Sequence, residues 1–269
     1  MMSKPENVLD RIVTTKRIEI EQARAARPLA ELKRQLADAP PVRDFFAALA
    51  GEGPIKLIAE VKKASPSAGI IRENFDPIQI AICYEEHGAD CISVLTDQEY
   101  FQGELEFLAA IRQQVQIPLL RKDFILDEYQ LVEARAAGAD AVLLIAECLD
   151  DTQLVDLHQQ AVELEMTPLV EFYRAENASR VVQAGATLVG VNNRDLRTFH
   201  VDLEHSIHMR EAIPDECLLV AESGIRNPGD VRQLADAGVD AMLVGEHLVA
   251  ASNIGEALDT LMAAVREAD

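Results

Sequence analysis

Eight short apolar runs, each followed by a longer amphipathic segment, predict an α/β chain folded as a single (β/α)8 TIM barrel behind an N-terminal helical extension. Two further observations favour a closed barrel over an open doubly wound sheet. One type of turn, built around a helix-stopping glycine, recurs about every 50 residues at 87–90, 137–140, 184–187 and 237–240, before the second, fourth, sixth and eighth runs. Charged and amide residues also gather where the runs end, the edge at which such barrels carry their chemistry. A length of 269 residues suits one barrel with an extension.

The extension is expected over 1–50. Val8, Leu9, Ile12, Val13 and Ile18 recur at helical spacing until Pro28 ends the segment, and Leu29, Leu32 and Leu36 mark a second helix before Pro40-Pro41. A third short helix is expected over 43–49. These helices are too thin to hold a core alone, so their apolar faces should pack on the barrel and restrict its mouth. The barrel is expected over 51–269. Its strands are read at 57–61, 91–95, 118–121, 141–146, 168–172, 187–191, 218–221 and 241–244. Helices are read at 78–87, 105–114, 128–137, 152–164, 175–184, 203–211, 228–237 and 254–265.

Composition limits the partners. With 49% hydrophobic and 26% charged residues the chain can form a sizeable core, and a net charge of -21 argues against a nucleic-acid surface. An anionic ligand would need a local cluster of Lys, Arg and backbone N–H groups. No apolar run is long enough for a membrane span, and Met1 to Glu6 lack an apolar signal core, so no membrane contact and a cytoplasmic location are expected. Cys83, Cys91, Cys148 and Cys217 have no paired spacing and read as reduced core thiols. His200, His205 and His208 lack acidic companions, and no G-x-G-x-x-G or Walker sequence occurs; no metal and no cofactor are expected.

The strand ends carry the candidate site. Glu60 and Lys62 share one face at the end of the first run, before Ser65-Pro66-Ser67 breaks regular structure and Gly69 permits a sharp turn. Arg121-Lys122-Asp123 ends the third run, Glu171 the fifth, Asn192-Asn193-Arg194 the sixth and Glu222-Ser223-Gly224 the seventh. By the period of two, Lys122 should point to one side and its charged neighbours to the other. Glycines after the last two runs, Gly224 and Gly245, suit close approach of a phosphate. Lysines and glutamates at a barrel mouth imply acid–base chemistry on a sugar phosphate, with Lys122 losing basicity beside another cation. An isomerase for an aminated phosphosugar, or a barrel that binds without turnover, remain as alternatives from the residues alone.

The motifs resemble one family. Ile58-Ala59-Glu60-Val61-Lys62-Lys63-Ala64-Ser65-Pro66-Ser67, Leu120-Arg121-Lys122-Asp123-Phe124-Ile125, Gly190-Val191-Asn192-Asn193-Arg194-Asp195-Leu196 and Glu222-Ser223-Gly224-Ile225 are similar to the signatures of the indole-3-glycerol-phosphate synthases of tryptophan biosynthesis. The likeness runs from Arg43-Asp44-Phe45 to the last helix. It implies a carboxy-lyase that closes a ring, decarboxylates and dehydrates 1-(2-carboxyphenylamino)-1-deoxyribulose 5-phosphate. By motif, Lys122 is the general acid at the sugar carbonyl, Glu171 the acid–base group of the dehydration, Lys62 the partner of the substrate carboxylate, and Glu60 the residue holding the lysines and a hydroxyl. Asn192 and Glu222 would bind hydroxyls and Arg194 would aid the carboxylate. Ser65, Ser223, Gly224 and Gly245 would hold the phosphate, and Phe101 and Phe124 would bound the aromatic pocket. The expected partners are that phosphorylated substrate and, left open, other enzymes of the pathway. Three positions depart from the usual pattern: Ala68 where many members have Lys, Arg174 where an acid is common, and His247 where Ser or Thr is usual.

Overall fold

Uninterrupted aliphatic runs become strands because only a sheet covered on both faces can bury them from end to end. The computed structural model of the protein describes residues 7–51, 53–195 and 197–266; Met1 to Glu6 and Leu196 of the sixth-strand motif lie outside the described residues. The barrel strands are β1 (Lys56–Val61), β2 (Cys91–Leu95), β3 (Leu119–Lys122), β4 (Ala141–Ile145), β5 (Thr167–Phe172), β6 (Leu188–Asn192), β7 (Leu218–Glu222) and β8 (Ala241–Val244). Each pairs in parallel with its neighbour in sequence, and β1 pairs with β8 in the register Ala59 with Val244, closing the barrel.

The period of two divides each strand between two cores. Leu57, Ala59 and Val61 of β1 pack outward against the helices, whereas Ile58 faces inward with Leu120, Leu143, Leu169, Val220 and Leu243. The recurring turns set the strand starts. Gly88, Gly138, Gly185 and Gly238 all have positive φ, between 75 and 90°. The aspartate that follows three of them reaches back to the preceding strand: Asp90, Asp140 and Asp240 each accept at 2.8 Å from the backbone N–H of Leu57, Leu119 and Leu219. The quarter-barrel repeat is therefore a repeat of hydrogen bonding, in which one carboxylate holds an N–H that would otherwise face the barrel floor unpaired.

Twelve α-helices complete the described chain: α1 (Val8–Ala26), α2 (Leu29–Gln35), α3 (Phe45–Leu49), α4 (Pro77–Glu86), α5 (Leu105–Arg112), α6 (Glu128–Ala136), α7 (Asp151–Glu163), α8 (Ala178–Gln183), α9 (Glu204–Met209), α10 (Pro228–Asp236), α11 (Glu246–Ala250) and α12 (Ile254–Arg266). Three of these elements differ from expectation. α8 and α9 are short because the residues flanking them tighten into 3₁₀ turns at Ala175–Asn177 and Arg210–Ala212. α11 was not expected at all; its five residues bury Leu248 and Val249, too few for a periodic signal. The loop after β1 is also more ordered than Ser65-Pro66-Ser67 suggests, since Ala64–Ser65 pairs antiparallel with Gly69–Ile70.

The extension packs on the barrel at both ends. Phe45 and Leu49 of α3 are buried with the inward-facing strand residues, as are Leu9 and Ile12 of α1. α1 is also fixed by charge. Lys16 Nζ lies 2.8 Å from Asp97 Oδ2 and 3.0 Å from Asp123 Oδ1, with all three side chains almost fully buried. Burial pulls the ammonium down, but Asp123 and Asp97 outweigh it and hold Lys16 above the ordinary lysine range. Lys16→Met leaves buried Asp97 without its cation and Asp123 with Arg121 alone, and is expected to destabilise the protein by about 3–5 kcal/mol. Urea denaturation at neutral pH checks this, and an unchanged midpoint would contradict it.

Candidate active site

β1 delivers Glu60 to the barrel interior and Lys62 just beyond its end, where Lys62 Nζ lies 2.6 Å from Glu60 Oε2. Gly245, at the end of the neighbouring β8, leaves the space that this carboxylate occupies; a Cβ there would overlap Glu60 Oε2. β3 ends in Lys122, whose Nζ lies 3.0 Å from Glu222 Oε2 on β7 and 3.4 Å from Glu171 Oε2 on β5. Asn192 on β6 donates from Nδ2 to Glu171 Oε1 at 3.1 Å. Gly190, also on β6, makes room for Glu222 in the way Gly245 does for Glu60. Four strands separated in sequence thus place one ammonium, two carboxylates and one amide in a single hydrogen-bonded set.

The charges are not equivalent. Lys122 is drawn down by burial, but Glu222, Glu171 and Glu60 together raise it well above the ordinary lysine range. This reverses the expectation that it would lose basicity, because carboxylates and not the second lysine dominate its surroundings. Glu60 is penalised by burial, yet Lys62 and Lys122 keep it below the usual carboxylate range. Glu222 goes the other way. Burial first, then the Glu171 carboxylate, push it from 4.5 to about 8, although Lys122 opposes them. The folded protein therefore keeps a proton on this site that the unfolded chain has already lost. Stability from that proton is full below about pH 4.5 and falls as pH rises towards about 8. Glu222→Gln should gain stability relative to the parent across that same interval, measured by urea denaturation at several pH values; a constant difference would refute the assignment.

The flanking residues of Lys122 turn away, as the alternation requires. Arg121 Nη1 pairs with Glu133 at 2.9 Å on the helix side, and Arg121 Nη2 with Asp123 at 3.2 Å. Asp123 is penalised by burial but held at about 2 by Lys16 and Arg121. It also touches the cavity wall, so the separation from Lys122 is complete for Arg121 only.

Above these groups lies a cavity of about 310 Å³. Every catalytic, hydroxyl, phosphate and aromatic candidate named from the sequence lines it: Glu60, Lys62, Lys122, Glu171, Asn192, Arg194, Glu222, Phe101, Phe124, Ser65, Ser223, Gly224 and Gly245. Phe101 and Phe124 form one apolar wall, their ring centroids 6.1 Å apart. Val8, Leu9 and Ile12 of α1 add to the apolar side, which is how the extension restricts the mouth. On the opposite side, Arg194 donates from Nη1 to Ser67 Oγ at 3.3 Å and from Nη2 to Glu246 Oε2 at 3.4 Å, joining the loops after β1, β6 and β8. Phe199 and Arg226 also line the cavity and were not singled out. Phe199 sits in an aperiodic polar stretch with a positive φ of 59°, which no spacing rule would have brought to the site. Arg226 follows the Glu222 to Ile225 motif directly, so its position was the available signal.

A closed parallel barrel with an acid–base set at the C-terminal strand ends falls in the class of (β/α)8-barrel enzymes. A family model described as indole-3-glycerol phosphate synthase matches residues 9–261. The chain belongs to that family. A relative from Rhodopirellula baltica named indole-3-glycerol phosphate synthase is 51% identical over 256 residues, covering 95% of this chain and 99% of its own. One of the same name from Leptothrix cholodnii is 48% identical over 260 residues, covering 96% and 99%. Among solved structures, a 3-hexulose-6-phosphate synthase matches with a TM-score of 0.64 at 18% identity, over 78% of this chain and 100% of its own; that likeness shows the fold alone. No helix among the described residues is long and apolar enough to cross a membrane.

Proposed function

We propose that the protein converts 1-(2-carboxyphenylamino)-1-deoxyribulose 5-phosphate to indole-3-glycerol phosphate, as a carboxy-lyase of tryptophan biosynthesis working in the cytoplasm. The observation that carries the reading is Lys122 held between Glu171 and Glu222, beneath a cavity with an aromatic wall on one side and cationic groups on the other. The aryl ring lies against Phe101 and Phe124. The phosphate sits by Ser65, Ser223, Gly224 and Gly245, where glycine backbone can approach it closely. Lys62 and Arg194 meet the substrate carboxylate.

Lys122, charged throughout the working range, donates to the sugar carbonyl oxygen and stabilises the alkoxide as the ring carbon attacks. Attack at the ring carbon bearing the carboxylate leaves that carbon tetrahedral. Loss of carbon dioxide then restores the aromatic electrons. Glu171, oriented by Asn192, serves the dehydration: it takes the proton from the substrate carbon as the hydroxyl leaves as water, protonated by Lys122 after that amine has regained a proton from solvent. Glu222 Oε1 is buried and has no hydrogen-bond partner among the described residues, so it is the oxygen left to meet a substrate hydroxyl. Other enzymes of the pathway are proposed as partners through the passage of this phosphorylated intermediate.

The direct test is the appearance of an indole product from the carboxyphenylamino substrate, read by fluorescence. The chain contains no Trp, so the protein adds no indole emission of its own. Absence of indole from folded protein and authentic substrate would reject the reading.

The phosphate end has its own test. Gly224→Asp and Gly224→Asn place side chains of equal size and similar tolerance for positive φ at a position with φ of 86°. Only the first adds charge. Gly224→Asp should bind both substrate and inorganic phosphate at least about tenfold more weakly than Gly224→Asn, since a like charge at short range costs more than 1.4 kcal/mol. Equal affinities by competition assay would move the phosphate elsewhere.

A further inference from the structure

The parallel ladder between β4 and β5 ends at Ile145 opposite Glu171. Beyond Ile145 the chain tightens into a 3₁₀ turn, Ala146–Cys148, and its backbone can no longer supply the next acceptor to the strand that carries Glu171. A side chain takes over. Glu147 Oε1 accepts from the Tyr173 N–H at 3.1 Å, from the Arg174 N–H at 3.0 Å and from Asn177 Nδ2 at 2.6 Å. The Glu147 side chain is 12% exposed, and Asn177 is buried. Arg180 locks the same turn by donating to Asn177 Oδ1 at 2.8 Å and to the Leu149 carbonyl at 2.8 Å. From the other flank, His205 Nε2 donates to the Tyr173 carbonyl at 2.6 Å, with the two rings 4.6 Å apart.

We propose that Glu147 is a positioning residue for Glu171, extending the β4–β5 ladder by a side chain so that the end of β5 holds its carboxylate against Asn192 and Lys122. The proposal rests on the reading of Glu171 as the acid–base group. Arg174, which stands where an acid is common in the family, lies beside this carboxylate, with its Nε 3.9 Å from Glu147 Oε1. The acid that orders the loop comes from the preceding strand–helix connection.

The role depends on an acceptor oxygen at a particular reach, which separates it from a charge effect and from general stability. Glu147→Gln keeps the oxygen and the length; Glu147→Asp keeps the charge and loses the length; Glu147→Ala loses both. Misplacement of a reacting group by about 1 Å can lower turnover by as much as 10²-fold. Glu147→Ala and Glu147→Asp are therefore expected to lower kcat about 10- to 100-fold with KM changed less than about threefold, while Glu147→Gln stays within about threefold of the parent. Glu85→Ala is the control. Glu85 Oε1 accepts from two backbone N–H groups, Gln116 at 2.6 Å and Ile117 at 3.0 Å, at the opposite end of the barrel, so its loss tests stability alone.

Glu171→Gln is measured alongside. If it keeps full kcat, the acid–base reading fails first. If it loses turnover while Glu147→Asp and Glu147→Ala match the Glu85→Ala control, Glu147 serves only stability and the proposal is overturned. Loss in Glu147→Gln equal to that in Glu147→Asp would overturn it as well, since the oxygen would then not be what matters. Should Glu147→Ala fail to fold, the Gln and Asp pair still decides.

Discussion

Lys122→Met is expected to lower kcat by roughly 10⁴-fold or more while substrate and phosphate affinity change little. General acid assistance is typically worth about 10²- to 10⁴-fold, and loss of a preorganised donor to the forming alkoxide adds about 10²- to 10³-fold, though the two overlap in one group. Met preserves length and apolar bulk. It cannot balance Glu171 and Glu222, whose carboxylates lie 3.4 and 3.0 Å from the ammonium in the parent. Part of the loss is therefore electrostatic reorganisation, and Glu222 should stay protonated to higher pH in the variant. The comparison that matters is kcat against affinity for substrate, with inorganic phosphate as an independent probe of the far end. A variant with nearly full kcat and a raised KM would show that Lys122 only binds, and the acid would then be sought at Lys62.

Gly245→Val should lower kcat/KM by about 10²-fold or more, although it neither adds charge nor removes a polar group. A Cβ at this position would overlap Glu60 Oε2, and even the Glu60 Cβ lies 3.0 Å away. Glu60 would have to turn from Lys62, breaking the 2.6 Å pair, while the branched side chain fills space in the cavity at the proposed phosphate position. Both KM and kcat should suffer, because the glycine serves the two ends of the site together. Unchanged affinity for inorganic phosphate in Gly245→Val would show that the phosphate end carries no share of the effect. Intact activity in the single variant would mean the backbone of β8 yields more readily than its pairing with β1 suggests.

Legibility followed periodicity. The strands could be read because eight short, mostly apolar runs are buried on both faces, and the site because polar residues gather where five of them end at the same barrel edge. Lys62, Lys122 and Glu171 needed nothing beyond that rule to be named. What spacing could not supply was who neighbours whom across the barrel. Lys122 was placed beside a lysine when its nearest partners come from β5 and β7, and the direction of its basicity changed with them. Glu147 carries no sequence signal because its significance lies in a reach across two connections, to backbone groups that any sequence would possess. α11 and the small pairing after β1 were hidden by brevity, since five residues or two hold no period.

The seam between β1 and β8 also has a bearing on how the chain is made. On the ribosome, β1 emerges early, and its edge towards β8 waits for the last strand; at about 5–20 residues per second the interval is on the order of 10–40 s. Through that time the β1 edge is an open template for pairing with a neighbouring nascent chain. α1 need not wait so long, because the partners of Lys16 stand at Asp97 and Asp123. Its early docking would gather the first three strands into one packed unit before the remaining five exist. Glu60 and Lys62 leave the tunnel among the first of the polar cluster, yet the glycine that makes room for their ion pair is among the last residues of the barrel to be synthesised.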